Sequence, residues 1–205
     1  MRALILSDIH GSAIAARQAL AYFEKFNCDR IFILGDTLYH GPRNPLPEGH
    51  GPMGVVEALK PYADRIVAVR GNCDADVDLM MLDFFHIEDE YALVEDEITC
   101  TADGSRKKIR MFLSHGHIFM PECFPANALD QLEPAETLGR TIDVYLYGHT
   151  HIYQLQKNFK KVLMVNPGST SLPKGGNPAT FGFYDSGKFS IHKLEDGTEL
   201  SATSL

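Results

Sequence analysis

Five short apolar runs in this chain each stop at a residue that can bind a metal. Ala3-Leu-Ile-Leu-Ser7 leads into Asp8-Ile9-His10, and Ile31-Phe-Ile-Leu34 into Gly35-Asp36. Ile66-Val-Ala-Val69 precedes Arg70-Gly71-Asn72-Cys73-Asp74, Ile109-Arg-Met-Phe-Leu113 precedes Ser114-His115-Gly116-His117, and Val144-Tyr-Leu-Tyr147 precedes Gly148-His149-Thr150-His151. Runs of this length, rich in Ile, Val, Leu and aromatics, read as buried strands. Strands that all deliver such groups at their C-terminal ends can gather them at one edge of a sheet. The set comprises two carboxylates, one amide and four imidazoles. That is more than one transition-metal ion takes up, and it suits two.

The remaining pattern is that of an α/β chain. A helix is expected over residues 12–26, with Ser12 as its N-cap and Ile14, Leu20 and Phe23 on one side. The prolines and glycines of 39–52 forbid regular structure. Further helices are expected over 53–62, 75–85 and 125–140, with Pro61 and Pro134 as interruptions. Residues 87–108 read as a hairpin turning at Asp103-Gly104. Late strands are expected at 162–165, 180–184 and 188–192. These elements predict a mixed sheet, or two stacked sheets, with helices outside. The 205 residues, 44% of them apolar, are enough for a sizeable core in a single domain over 1–205.

Charge and composition exclude several functions. A net charge of −8 disfavours wrapping around nucleic acid, although a bound metal pair can reverse the local field for a small phosphate ester. No apolar run approaches the ~18 residues of a membrane span. The polar Ser7-Asp8 interrupts the apolar length that a signal peptide needs. Cys28, Cys73, Cys100 and Cys123 are widely spaced with no CxxC, which points to reduced thiols in a cytoplasmic enzyme.

Spacing adds chemistry. Asp8 and His10, like His149 and His151, stand two residues apart, and in extended backbone such pairs project to one side. Mixed carboxylate and imidazole ligands suit Mn²⁺, Fe²⁺, Zn²⁺ or Co²⁺ better than Ca²⁺. Without an obligatory thiolate, a catalytic site fits better than a structural zinc site. Each fragment alone has an ordinary reading as a turn. Their joint occurrence in order, each ending an apolar strand, points to a dinuclear centre.

That order resembles the motifs of the calcineurin-like metallophosphoesterase superfamily. Asp8-x-His10, Gly35-Asp36, Gly71-Asn72-x-Asp74, His115-Gly116-His117 and Gly148-His149-x-His151 carry the likeness, and Asn166-Pro-Gly-Ser169 extends it. His40-Gly-Pro-Arg-Asn44, Leu46-Pro-Glu-Gly49, Arg70-Gly-Asn-Cys-Asp74 and Pro173-Lys-Gly-Gly-Asn-Pro178 are similar to the small bacterial phosphodiesterases of the YfcE type. The resemblance implies a four-layer α/β/β/α sandwich with two stacked mixed sheets. It implies Asp8, His10 and His151 on one metal, Asn72, His115 and His149 on a second, Asp36 between them, and His117 nearby but outside the ligand set. The implied cofactors are two divalent ions, Mn²⁺ foremost, with Fe²⁺, Zn²⁺, Co²⁺ or Ni²⁺ as alternatives. The implied reaction is hydrolysis of a small phosphodiester by a bridging hydroxide.

A phosphomonoesterase or nucleotide phosphatase with the same metals is the sister reading. A non-catalytic scaffold of the same fold is a third, against which the complete ligand set speaks. The expected partner is a small phosphoester, with no nucleic acid and no membrane. Self-association through late strands bearing Phe181, Phe183 and Phe189 is left open.

One motif departs from the family. Many members carry His after the Gly-Asn pair, as proton donor to the leaving group, and this chain has Cys73. A thiol is shorter than imidazole and a poor hydrogen-bond partner. The expectation is that Cys73 fills space, that Asp74 caps the loop, and that good leaving groups are favoured. Arg43, seven residues after Asp36, either holds a non-bridging phosphate oxygen or is a surface arginine. His40, His50 and His86 read as loop histidines, and Lys174 as a turn lysine.

Overall fold

The computed structural model describes residues 1–99, 104–119, 141–157 and 162–205. The described elements are β1 (Arg2–Leu6), α1 (Ala13–Lys25), β2 (Arg30–Ile33), α2 (Pro52–Leu59), a 3₁₀ helix (Lys60–Arg65), β3 (Ile66–Val69) and α3 (Asp76–Met81). There follow β4 (Ile87–Glu88), β5 (Tyr91–Thr99), β6 (Arg106–Ser114), β7 (Val144–Leu146), β8 (Gln154–Lys157) and β9 (Leu163–Asn166). The chain closes with β10 (Thr180–Asp185), β11 (Lys188–Lys193) and β12 (Glu199–Ser204).

Two mixed sheets result, as the sequence predicts. The larger runs β12-β11-β10-β1-β2-β3-β4, with β1, β2, β3 and β4 parallel and the rest antiparallel. The smaller runs β5-β6-β7-β9-β8, with β6, β7 and β9 parallel. Alternation along each strand decides which layer a side chain joins. In β1, Leu4 and Leu6 pack with Ala16, Ala19 and Leu20 of α1 and Val55 and Leu59 of α2. Ala3 and Ile5 face the other way, into a core shared with Met111, Leu113, Val144, Leu146 and Val165 of the smaller sheet. Phe112, Tyr145 and Met164 form a third cluster on the smaller sheet's outer face. The helix expected over 125–140, which would flank that face, lies outside the described residues, as do Cys100, Cys123 and Asp103 of the expected hairpin turn.

Several boundaries differ from expectation for physical reasons. The helix expected over 53–62 splits, because Pro61 has no N–H to continue the α ladder, and the chain tightens to 3₁₀ from Lys60. The expected hairpin starts at Tyr91, with Tyr91 opposite Ser114 and Thr99 opposite Arg106. Ile87–Glu88 pairs instead with β3 in the other sheet. Strands β8 and β12 escape a sequence reading because they close sheet edges, where QLQK and ELSATS need no apolar alternation. No described helix is long and apolar enough to cross a membrane.

Candidate metal centre

The C-terminal ends of β1, β2, β3, β6 and β7 place Asp8 and His10, Asp36, Asn72, His115, and His149 and His151, so both sheets contribute. This is the edge where open α/β sheets build their sites. Extended backbone is not what turns the side chains inward. Asp8, His10, Asp36, His149 and His151 all have positive φ, between 49° and 67°. Such values are uncommon for side chains other than glycine and cost free energy, and they cluster at functional sites. The i, i+2 pairs therefore converge through two left-handed residues each, a correction to the extended geometry that spacing suggests.

Hydrogen bonds hold that conformation. Asp8 and His10 donate their backbone N–H to the carbonyls of Gly35 (3.2 Å) and Asp36 (2.9 Å), tying the β1 loop to the β2 loop. Ser169 Oγ donates to the Asp8 carbonyl (2.7 Å), and Ser171 Oγ to the Ile9 carbonyl (2.8 Å). Asn166 Nδ2 donates to the Gly148 carbonyl (2.9 Å), which fixes the loop that carries His149 and His151. A Cβ on Gly71 would fall on the Asp36 carboxylate, so only glycine allows the β3 loop so close.

Three imidazoles have their tautomers set by backbone carbonyls. Nδ1–H donates to Tyr39 O from His10 (2.8 Å), to Leu34 O from His115 (2.7 Å) and to Leu172 O from His151 (2.6 Å). Each Nε2 is thereby left facing the site, able to hold a metal once it carries no proton. His10 Nε2 and His151 Nε2 stand 3.2 Å apart, and Asp8 Oδ1 is 3.3 Å from His151 Nε2 and 3.7 Å from His10 Nε2. Burial works to lower His10, but Asp8 and the Tyr39 carbonyl outweigh it and raise it, so a proton on His10 bridges the two nitrogens where a cation could take its place.

The carboxylates are split in the same way. Asp8 Oδ2 accepts from Ser7 Oγ (2.7 Å) and His149 N (3.1 Å), while the fully buried Oδ1 has no hydrogen-bond partner among the described residues. Asp36 Oδ1 accepts from Cys73 N (2.8 Å), and its Oδ2 lies 3.4 Å from His115 Nε2 and 3.7 Å from His10 Nε2. Asn72 Oδ1 is 3.0 Å from His115 Nε2. Three overlapping groups follow among the described residues: Asp8 with His10 and His151, Asp8 with Asp36 and His115, and His10 with Asp36 and Cys73. His149 is outside all three, with its ring centroid 5.1 Å from that of His115. His117 lies a step further out, its ring centroid 5.4 Å from that of His115, with its Nδ1 buried and without a hydrogen-bond partner among the described residues. A carboxylate oxygen without a hydrogen-bond partner among the described residues, amid imidazole nitrogens turned to one point, fits divalent cations.

Electrostatics agree. Burial works to raise Asp8 and Asp36, yet hydrogen bonds and charge from His10 and His115 hold both below the usual carboxylate range. Burial works to lower His115, but Asp36 and Asp8 outweigh it and raise it to about 9. Burial lowers His149, His151 and His117, with nearby cations adding to the effect: His115 on His149 and His117, and Lys174 and then His10 on His151.

A raised histidine stabilises the metal-free fold fully below its ordinary 6.5 and ceases to do so as pH rises through about 9. The lowered Asp36 stabilises it above 3.8 and ceases to do so as pH falls below that. A metal on His115 Nε2 must expel the proton held there, so metal competes better as pH rises towards about 9. The gain in Tm on adding Mn²⁺ is therefore expected to be larger near pH 9 than near pH 6.5, and thermal melts at both check it. Equal gains would contradict it.

The remaining candidates line one cleft of about 810 Å³ with Asp36, Asn72, His149 and His151, namely Arg43, Arg70, Cys73, Asp74 and Lys174. Arg43 is exposed on its wall. Cys73 Sγ reaches within 4.8 Å of ligand atoms of His10 and Asp36, and a Cβ on Gly41 would stand 2.9 Å from it. Burial first, then the charge of Asp36, push this thiol up to about 12.

Asp74 does more than cap its own loop. It is 5% exposed, and it accepts from Gly71 N (2.7 Å) and, across to the β2 loop, from Asp36 N (2.8 Å) and Thr37 N (2.8 Å). Burial is the main cause that raises its carboxyl. Sequence reasoning did not single out Ser7, Ser171 or the carbonyls of Tyr39, Leu34 and Leu172. Ser7 had the signal of adjoining Asp8; backbone carbonyls have none.

A profile of the Calcineurin-like phosphoesterase superfamily domain matches residues 1–188. Phosphodiesterase YfcE of Escherichia coli strain K12 is 39% identical over 208 aligned residues, which cover 100% of this chain and 98% of the relative. A solved structure of YfcE, described as a phosphoesterase from E. coli, matches with a TM-score of 0.82 at 38% identity, over 100% of this chain and 99% of that one. A metallophosphoesterase from Sphaerobacter thermophilus shares the fold, with a TM-score of 0.59 and 19% identity over 95% of this chain and 88% of its own.

Proposed function

The chain belongs to the calcineurin-like phosphoesterase superfamily, and from that premise we propose that it is a metal-dependent phosphodiesterase of small substrates with a dinuclear centre. The observation that carries this reading is the convergence of the Asp8, His10 and His151 ligand atoms within 4.8 Å of one another, with one Asp8 oxygen left without a hydrogen-bond partner among the described residues. Asp8, His10 and His151 would hold one ion, Asn72, His115 and His149 the other, and Asp36 would join them. Two divalent ions, Mn²⁺ in this reading, would supply positive charge for the phosphoryl group and acidify the attacking water to a bridging hydroxide. The diester preference is supported by the 39% identical relative, which is named a phosphodiesterase. The free thiols of Cys28 and Cys73 support a reducing, cytoplasmic setting.

The protein's own groups do the positioning. Hydrogen bonds on Nδ1 aim three imidazoles, and the clamp at Asp74 keeps the Asp36 loop against the Asn72 loop. Arg43, on the cleft wall, is placed to hold a non-bridging phosphoryl oxygen. Asn72 Nδ2 donates to Cys73 Sγ (3.2 Å), which leaves the thiol as an acceptor in a tight pocket beneath Gly41. An imidazole at this position would displace the 40–44 loop. The departing oxygen therefore leaves without a strong proton donor.

General acid catalysis contributes about 10²–10⁴-fold, so aryl phosphodiesters are expected to turn over faster than alkyl ones by at least about 10²-fold. Parallel assays on aryl diesters, aryl monoesters and alkyl diesters, with metals added back singly, test the reading. Faster turnover of the monoester would favour a phosphatase instead. Comparable alkyl and aryl rates, or inactivation by Cys73→Ser, would remove the account of Cys73.

A further inference from the structure

The cations of the cleft are unequally engaged. Arg70 is already paired, with Nη2 2.9 Å from Asp76, Nη1 3.9 Å from Asp89, and Nε donating to the Asp74 carbonyl at 3.0 Å. Among the described residues no ion pair involves Lys174, which lines the same cleft. The carboxylates that line this cleft cannot serve it. Asp36 and Asp74 are buried and accept from backbone N–H groups.

Lys174 opens a turn, as its sequence context suggests, and that turn is held at both ends. Its N–H donates to the His151 carbonyl at 3.1 Å, and its own carbonyl accepts from Asn177 N at 3.2 Å and Asn177 Nδ2 at 2.8 Å. Its backbone is thus tied to a residue of the centre, and its ammonium stands free on the cleft wall in a chain of net charge −8.

Charge decides what it is for. On the phosphodiesterase reading above, on which this inference rests, two divalent ions with Asp8 and Asp36 carry about +2. That balances one diester charge and one hydroxide, and Arg43 adds a further cation. The charge of Lys174 is then in excess for a singly charged diester. We infer that the cleft takes a phosphodiester bearing a second anionic group, and that Lys174 reads that second charge as a specificity-determining residue. A partly exposed ammonium–phosphate contact gives a charge-assisted hydrogen bond, screened by salt and worth about tenfold in affinity.

The test compares the p-nitrophenyl ester of a nucleoside 5′-phosphate with the same ester carrying a 3′-phosphate, on metal-loaded protein. The 3′-phosphorylated ester is expected to have a KM lower by about tenfold at similar kcat. The ratio should fall to about threefold or less in Lys174→Gln and in high salt, and be kept in Lys174→Arg. Calorimetry with a nucleoside 3′,5′-bisphosphate against the 5′-monophosphate gives a readout that needs no turnover. The bisphosphate should bind more tightly to the wild type, with that advantage lost in Lys174→Gln.

Equal KM values for the two esters, or an advantage that survives Lys174→Gln, would overturn the inference. If neither ester were hydrolysed, the phosphodiesterase reading would fail, and the calorimetric comparison would still decide whether Lys174 reads the second charge.

Discussion

Replacing Asp36 with Asn is expected to reduce kcat on an aryl phosphodiester by on the order of 10³-fold or more, because a metal's charge stabilisation is worth several kcal/mol. The substitution is nearly isosteric. The amide oxygen can still accept from Cys73 N, so the β2 and β3 loops should remain together. What is lost is the negative charge that faces His115 Nε2 at 3.4 Å and His10 Nε2 at 3.7 Å. The variant should therefore fold, bind metal more weakly, and release the His115 proton at a lower pH than about 9 in the metal-free form. Kinetics, metal analysis and imidazole titration by NMR check the three parts. Full activity in Asp36→Asn would defeat the metal-dependent mechanism and its phosphatase variant together.

The second large effect is on stability. Asp74→Ala removes the acceptor for Gly71, Asp36 and Thr37 N–H groups at a site only 5% exposed. A buried donor left unsatisfied costs about 1–3 kcal/mol, and with partial relief by water the total is expected at roughly 3–5 kcal/mol. Urea unfolding of the metal-free protein measures it. Asp74→Asn, which keeps an acceptor oxygen but presents an NH₂ to the remaining N–H, should fall between the two. Both variants should also bind metal more weakly, since the backbone of Asp36, held at φ 54°, loses its anchor. A loss below about 1 kcal/mol for Asp74→Ala would mean that the clamp is not structural, since a single satisfied hydrogen bond is worth that much.

The sequence was most legible where chemistry and burial coincide. Apolar runs ending in Asp, Asn and His located β1, β2, β3, β6 and β7, because a strand buried inside a sheet is apolar along its length. The ligand types carried their own signal, since imidazoles and carboxylates are rarely gathered behind strands without reason. The local geometry was not legible in the same way. An i, i+2 spacing reads as extended backbone, while the structure turns Asp8, His10, His149 and His151 inward through left-handed residues that only long-range hydrogen bonds sustain. Strands β8 and β12 left no trace in hydropathy because they lie at sheet edges.

Asp74 illustrates the same limit from another side. Its position after Asn72 and Cys73 suggested a local cap, yet two of its three donors belong to a loop some 37 residues away. Lys174 read as a turn residue for the equivalent reason. The sequence records its turn, while its place on the wall beside His151 depends on how the loop after β9 meets the loop after β7.

The central claim is that seven side chains from both sheets make one centre for two divalent ions, on which hydrolysis depends. The measurement that tests it most directly is a titration of metal-free protein with Mn²⁺, following bound metal and aryl phosphodiester hydrolysis in the same samples. The account predicts two ions bound per chain, no turnover in chelator, and full activity only as the second ion binds. Saturation at a single ion with full activity, or hydrolysis that persists in chelator with no metal bound, would contradict it.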